Sequence, residues 1–163
     1  MSKELPRSAK VATVWLLLGL GLFLAVQWWP HRQQQGRFQA DGDVIALQRG
    51  ADGHYHWPGT VNGRAVEFLV DTGATGTAIP ARLARELGLR SQGAVRSSTA
   101  GGVVDAQLVR VDLHLQGGVL AEGLRVVALP GLGDSPLLGM DVLGRLRWTQ
   151  GDGLLRIDLR RRP

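Results

Sequence analysis

Apolar residues stand at every second position between 109 and 115 (Val109, Val111, Leu113 and Leu115), with Arg110, Asp112 and His114 between them. Side chains alternate across a strand, so this run predicts a strand with one dry face and one wet face. Such a strand is not stable alone and obliges the chain to supply partners. Candidates are spaced along the sequence, each bounded by turn residues. Val44-Ile45-Ala46-Leu47 is followed by Asp52-Gly53 and then by His54-Tyr55-His56-Trp57, which reads as a returning strand. Asn62-Gly63 is a second hairpin signal, ahead of Ala65-Val66-Glu67-Phe68-Leu69-Val70. Gly117-Gly118 turns the chain before the apolar residues 124–129, and residues 154–159 supply a last strand. Only two short helices stand out. Residues 80–87 have proline at the start and Gly88 just past the end, and the other helix runs from Met140 to about Leu146. Twenty-three glycines against one tyrosine and three phenylalanines suit frequent turns rather than a helical bundle. The expected fold is all-β with two short helices, and no internal repeat is visible.

Upstream of this body the chain changes character. Residues 11–26 carry no charge, and counting on through Trp28 and Trp29 gives 19 residues interrupted only by Gln27. A spanning helix needs about 20 apolar residues. Trp28, Trp29 and Pro30 read as an interfacial belt and a helix stop. A cleaved signal peptide would share the basic start and the apolar middle. Cleavage, however, wants small residues after the apolar core, and Val26-Gln27-Trp28-Trp29-Pro30 is bulky. The expected organisation is therefore a tail over 1–10, a transmembrane anchor over 11–29, a polar linker over 30–40 and one folded domain over 41–163. Lys3, Arg7 and Lys10 before the span favour a cytoplasmic N-terminus, although Arg32 and Arg37 follow it closely.

The net charge of +5 invites a nucleic-acid reading until it is located. Residues 1–10 hold Lys3, Arg7 and Lys10 against Glu4; residues 156–163 hold Arg156, Arg160, Arg161 and Arg162 against Asp158. Between them, twelve arginines balance twelve acids. A surface that neutralises phosphates needs its basic charge on the folded body, and this body is neutral, so no nucleic-acid partner is expected. The arginines at 160–162 read as a solvated tail. The absence of cysteine removes disulfides, thiolate metal sites and cysteine nucleophiles. His54 and His56 alternate onto one strand face without a third ligand at readable spacing, so neither a metal nor a cofactor is implied. Ser97, Ser98 and Thr99 lack the Gly-x-Ser-x-Gly elbow of a nucleophilic serine.

The stretch that carries chemistry is Phe68-Leu69-Val70-Asp71-Thr72-Gly73-Ala74-Thr75. An apolar strand delivers an aspartate onto a turn, where Thr72 can bond locally and Gly73 can take a conformation other residues resist. Asp-Thr-Gly alone is most often an ordinary surface turn. Its apolar strand, the Ala74-Thr75 that follows and the distant Pro136-Leu137-Leu138-Gly139 are together hard to explain as one.

On these residues the chain resembles the retropepsin-like aspartic proteases, and among them the bacterial, membrane-anchored, single-domain type. The likeness runs from about Asp43 to Asp158. It takes in Gly53-His54-Tyr55, Val61-Asn62-Gly63, residues 68–75, Thr99-Ala100-Gly101-Gly102, Leu129-Pro130-Gly131-Leu132-Gly133 and Leu137-Leu138-Gly139-Met140-Asp141. The resemblance implies an acid-protease barrel in which Asp71, Thr72 and Gly73 form the catalytic turn. Thr99, Ala100, Gly101 and Gly102 would form a flap that closes over an extended peptide. Ala74, Thr75, Leu137, Leu138 and Gly139 would support the site. It also points to a single-pass protein of the bacterial inner membrane with its domain in the periplasm.

Counting aspartates sharpens the expectation. Hydrolysis without a covalent intermediate needs a base for the water and an acid for the leaving nitrogen, and two carboxylates in contact do both by sharing a proton. The chain has one Asp-Thr-Gly; Asp52, Asp134 and Asp152 lack its strand-then-turn setting. The second carboxylate is thus expected from another copy, with Asp71 facing its twin across a two-fold axis in a homodimer. Thr72 would brace the two turns. The alternative is a catalytically silent module of the same fold that binds or assembles in the cell envelope.

Overall fold

The computed structural model describes residues 15–20, 38–41, 43–99 and 101–160. The chain divides into two units, residues 1–36 and residues 37–163. In the first, residues 15–20 are helical, and Trp15, Leu16, Leu17, Leu18 and Leu20 are exposed. The rest of the stretch read as an anchor, the N-terminal tail and Arg161 and Arg162 lie outside the described residues. Among the described residues, no helix is long and apolar enough to cross a membrane.

The second unit is mostly strand. In chain order it runs β1 (Phe38–Asp41), β2 (Val44–Gln48), β3 (Tyr55–Val61), β4 (Arg64–Val70), β5 (Ala78–Pro80), α1 (Ala81–Glu86), β6 (Gly93–Thr99) and β7 (Gly102–Leu115). It continues with β8 (Val119–Leu129), β9 (Leu137–Leu138), α2 (Met140–Leu143), β10 (Arg147–Gly151) and β11 (Leu154–Asp158). Four strands form one sheet in the order β1-β2-β11-β10, and seven form another in the order β3-β4-β9-β5-β8-β7-β6. Because β3 also pairs with β7, Val61 opposite Leu113 and Gly59 opposite Leu115, the larger sheet curls back on itself.

The alternation that opens the sequence is met in β7. Val109, Val111, Leu113 and Leu115 are buried, and Arg110, Asp112 and His114 are exposed. These inward residues meet Trp57 and Phe68 from the same sheet and Ile45, Leu47, Leu155 and Ile157 from the smaller one, so both sheets share a core. The indole N–H of the buried Trp57 donates to the Gln116 carbonyl at 2.8 Å, which leaves no orphan donor there. The Asn62-Gly63 hairpin is present, with positive φ angles of 48° and 81° between Val61 and its partner Arg64. The helix expected over 80–87 occupies Ala81–Glu86, with Pro80 as its N-cap. The one expected from Met140 is a single turn that stops at Leu143.

Two expectations need correction. Residues 54–57 do not return along residues 44–47. The chain reverses over residues 50–53, but the two strands share a single bridge, Arg49 to Tyr55, before separating into different sheets. The physical reason is that β2 finds both its partners, β1 and β11, in the smaller sheet. The last residues of the stretch read as a linker, in turn, form β1, an outer strand held by backbone bonds to β2 that composition does not reveal.

One contact in the larger sheet governs the rest. Strand β9 lies between β4, to which it is parallel, and β5, with Leu69 opposite Leu137 and Val70 opposite Leu138. Just past β9, the backbone of Gly139 is pressed against Gly76 and Thr77. A Cβ at Gly139 would sit 2.4 Å from the Gly76 carbonyl carbon and 2.9 Å from the Thr77 nitrogen. Backbone cannot yield as a flexible side chain does, so only glycine fits. Gly139→Ala is expected to lower stability by at least about 2 kcal/mol in urea unfolding. Gly151→Ala, which meets nothing within 4 Å, should change it by less than about 0.5 kcal/mol.

Candidate active site

Strand β4 ends in the buried Val70, and the next residue, Asp71, is half-buried at the point where the strand becomes a turn. The Asp71 N–H donates to the Leu138 carbonyl at 3.0 Å, and its own carbonyl accepts the Ala74 N–H at 3.3 Å. The side chain is fixed as well: Asp71 Oδ1 accepts the Gly73 N–H at 2.9 Å. A Cβ on Gly73 would lie 3.2 Å from that same oxygen, so a side chain there would press on the carboxylate it holds. Asp71 Oδ2 has no partner among the described residues. The result is an aspartate with one oxygen bound to its own turn and one open, flanked by the exposed Thr72 and Gly73.

Residues 137–141 fasten this turn from behind. Leu138 is wholly buried, and its carbonyl receives the Asp71 N–H. The Met140 N–H donates to the Ala74 carbonyl at 2.9 Å. Thr77 Oγ1 accepts the Gly139 N–H at 3.2 Å and donates to Asp141 Oδ1 at 2.7 Å. Thr75 is exposed on the turn and Ala74 half-buried. The resemblance brought Asp71 together with residues 137–139 and took in Asp141 without giving it a role; Thr77 was passed over. The available signal was that Thr77 is a lone polar residue opening the apolar run Ala78-Ile79.

The residues read as a flap lie at the tip of the hairpin formed by β6 and β7. Thr99 pairs with Gly102, and Thr99 Oγ1 donates to the Gly102 carbonyl at 2.8 Å. Thr99, Gly101 and Gly102 are exposed, whereas Ala100 lies outside the described residues. At the base of this hairpin, Val95 and Val104 join Val127, Leu132 and Leu137 around the buried Ala78, Ala106 and Leu129. This second apolar cluster is only partly covered.

Away from the turn, His56 Nε2 lies 2.7 Å from Asp52 Oδ2, and His56 Nδ1 lies 3.6 Å from Glu67. The His54 backbone N–H, followed by the His56 ring, holds the Asp52 carboxyl below its ordinary range. No group of three or more histidine or acidic side chains suited to a metal ion occurs among the described residues.

Comparison with known proteins agrees with this architecture. Residues 57–145, more than half of the chain, match the family described as "gag-polyprotein putative aspartyl protease". The crystal structure of a retropepsin-like aspartic protease from Rickettsia conorii superposes with a TM-score of 0.56 at 24% identity, covering 70% of this chain and 89% of that one. An uncharacterized protein in the cobV 5' region of a Sinorhizobium species is 32% identical over 110 residues, which is 65% of this chain. The chain spans about half the length of that relative, 47%. The strand-borne Asp-Thr-Gly turn, the glycine contact behind it and the family match over residues 57–145 lead to one conclusion: the chain belongs to the retropepsin-like aspartic protease family.

Proposed function

We propose that this protein is a membrane-anchored aspartic endopeptidase whose catalytic pair is assembled from Asp71 of two copies. The observation that carries the reading is the state of Asp71: one oxygen held by its own turn, the other open, and no second Asp-Thr-Gly in the chain. A lone carboxylate at the end of a strand can take a proton but cannot also give one. Two of them close together share one proton and so hold an acid and a base at once, titrating as a unit. The ionised member draws a proton from water as the water oxygen bonds to the peptide carbonyl carbon. The protonated member serves the carbonyl oxygen, and the C–N bond breaks as the nitrogen receives a proton.

The other parts have roles in this scheme. Thr72, exposed beside Asp71, would bond across the two-fold axis to the partner's turn. Gly73 would allow close approach to the water. The tip at Thr99–Gly102 would close over a peptide bound in extended form, with the half-covered apolar cluster at the hairpin base as its floor. An anchor over 11–29 would place the domain at the bacterial inner membrane on the periplasmic side. It would also confine copies to one plane, which raises their effective concentration for pairing.

Asp71→Asn is expected to slow peptide cleavage by about 10²–10⁴-fold while the melting curve is unchanged. Wild-type specific activity should fall on dilution, and adding the Asn-substituted protein should inhibit wild type by forming mixed dimers. A wild-type chain that shows no cleavage dependent on Asp71 would leave the silent binding module as the better reading. The anchor has its own measurement: the full chain should remain with membranes through alkaline carbonate extraction. Release into the supernatant would remove the anchor from the scheme.

A further inference from the structure

Thr77 is 1% exposed and is the one buried residue among the described residues that is neither apolar nor aromatic. A buried hydroxyl is tolerated when both its donor and its acceptor are used, and here they are: the proton goes to Asp141 Oδ1 and a lone pair takes the Gly139 N–H. If satisfying Gly139 were the whole purpose, the acceptor half would suffice. The donor half reaches instead to Asp141, whose same oxygen accepts the Val142 N–H at 3.0 Å and is thereby pinned to the start of α2.

Viewed along the turn, the segment from Asp71 to Thr77 is fastened to residues 138–141 at three successive points, each three residues from the last. Asp71 is held through its N–H, Ala74 through its carbonyl and Thr77 through its hydroxyl. The first two fasteners are backbone and survive any side-chain change. The third depends on side chains. It is where the sequence can adjust the pose of the turn.

We infer that Asp141 is a positioning residue of the catalytic turn, acting through the Thr77 hydroxyl to set where the Asp71 carboxylate points. The inference rests on the aspartic-protease reading. In a dyad built from two copies, a displacement of the turn is applied twice, once from each side. A misplacement of about 1 Å can lower a rate by about 10²-fold. Asp141 therefore influences turnover far more than it influences folding, and substrate contacts are left alone.

The test compares four variants of the full chain. Asp141→Ala and Thr77→Val are expected to lower kcat by about 10- to 100-fold with KM within twofold of wild type. Asp141→Asn keeps an oxygen that can accept both bonds, and Thr77→Ser keeps the hydroxyl, so both should retain most of the activity. The double variant Asp141→Ala with Thr77→Val should be no worse than Thr77→Val alone, because Thr77→Val already breaks the link to Asp141 together with the bond from the Gly139 N–H. Amide exchange supplies a readout that needs no substrate: Gly73 and Ala74 should exchange at least tenfold faster in Asp141→Ala, while Val109–Leu113 in β7 stay protected. Wild-type kcat in Asp141→Ala, or an Asp141→Asn variant as damaged as Asp141→Ala, would overturn the inference. So would unaltered exchange at Gly73 and Ala74. If the wild-type chain shows no cleavage that depends on Asp71, the protease reading fails, and the exchange experiment still decides whether Asp141 holds the turn.

Discussion

Two stretches of backbone, one at Gly139 and the other at Gly76–Thr77, lie so close that a single added carbon has nowhere to go. The rest of the site follows from that contact. It lets β9 slip between β4 and β5, although β9 is only two residues long, and that brings the Leu138 carbonyl beneath the N–H of Asp71. Main-chain bonds then run from the same short segment to both ends of the Asp-Thr-Gly turn. A turn held by its own local bonds would fray at a strand end; this one is tied to a wholly buried residue. Groups held on rigid elements keep their geometry more closely than groups on loops, and Asp71 is held in that way.

The economy of the site is also its incompleteness. The local structure fixes one oxygen of Asp71 against Gly73 and gives the other no hydrogen-bond partner among the described residues. An exposed threonine beside it, a hairpin tip of small residues and a partly covered apolar patch are all surfaces that gain meaning from something placed against them.

Much of this could be read from the residues because the informative signals were local. The period-two pattern at 109–115 reported which side of β7 is dry, Asn62-Gly63 reported a tight turn, and Pro80 with Gly88 bracketed α1. What escaped was set by distance. Strands β5 and β9 have three and two residues, too few to display any period, and they exist because neighbours in the sheet receive them. The companions of β2 could not be chosen from a turn signal, since Asp52-Gly53 does turn the chain but its partner strand β11 is about a hundred residues further on. The link between Thr77 and Asp141 was invisible for the same reason: the two residues stand 64 positions apart, and only the fold brings their side chains to 2.7 Å.

Strand β7 is 14 residues long, which at about 3.3 Å per residue makes it a rod of some 46 Å. Its two halves do different work. From Val109 onward the odd-numbered side chains are sunk in the main core, whereas nearer the tip the inward side passes to Val104 and Ala106, which belong to the smaller cluster. The switch of phase falls at Gln107 and Leu108. Beyond it β7 is paired to one neighbouring strand, β6, and its inward side chains rest on the smaller cluster alone. The register at the barrel seam is therefore set by the half of β7 that has β3 on one side and β8 on the other, while the outer half hangs from β6.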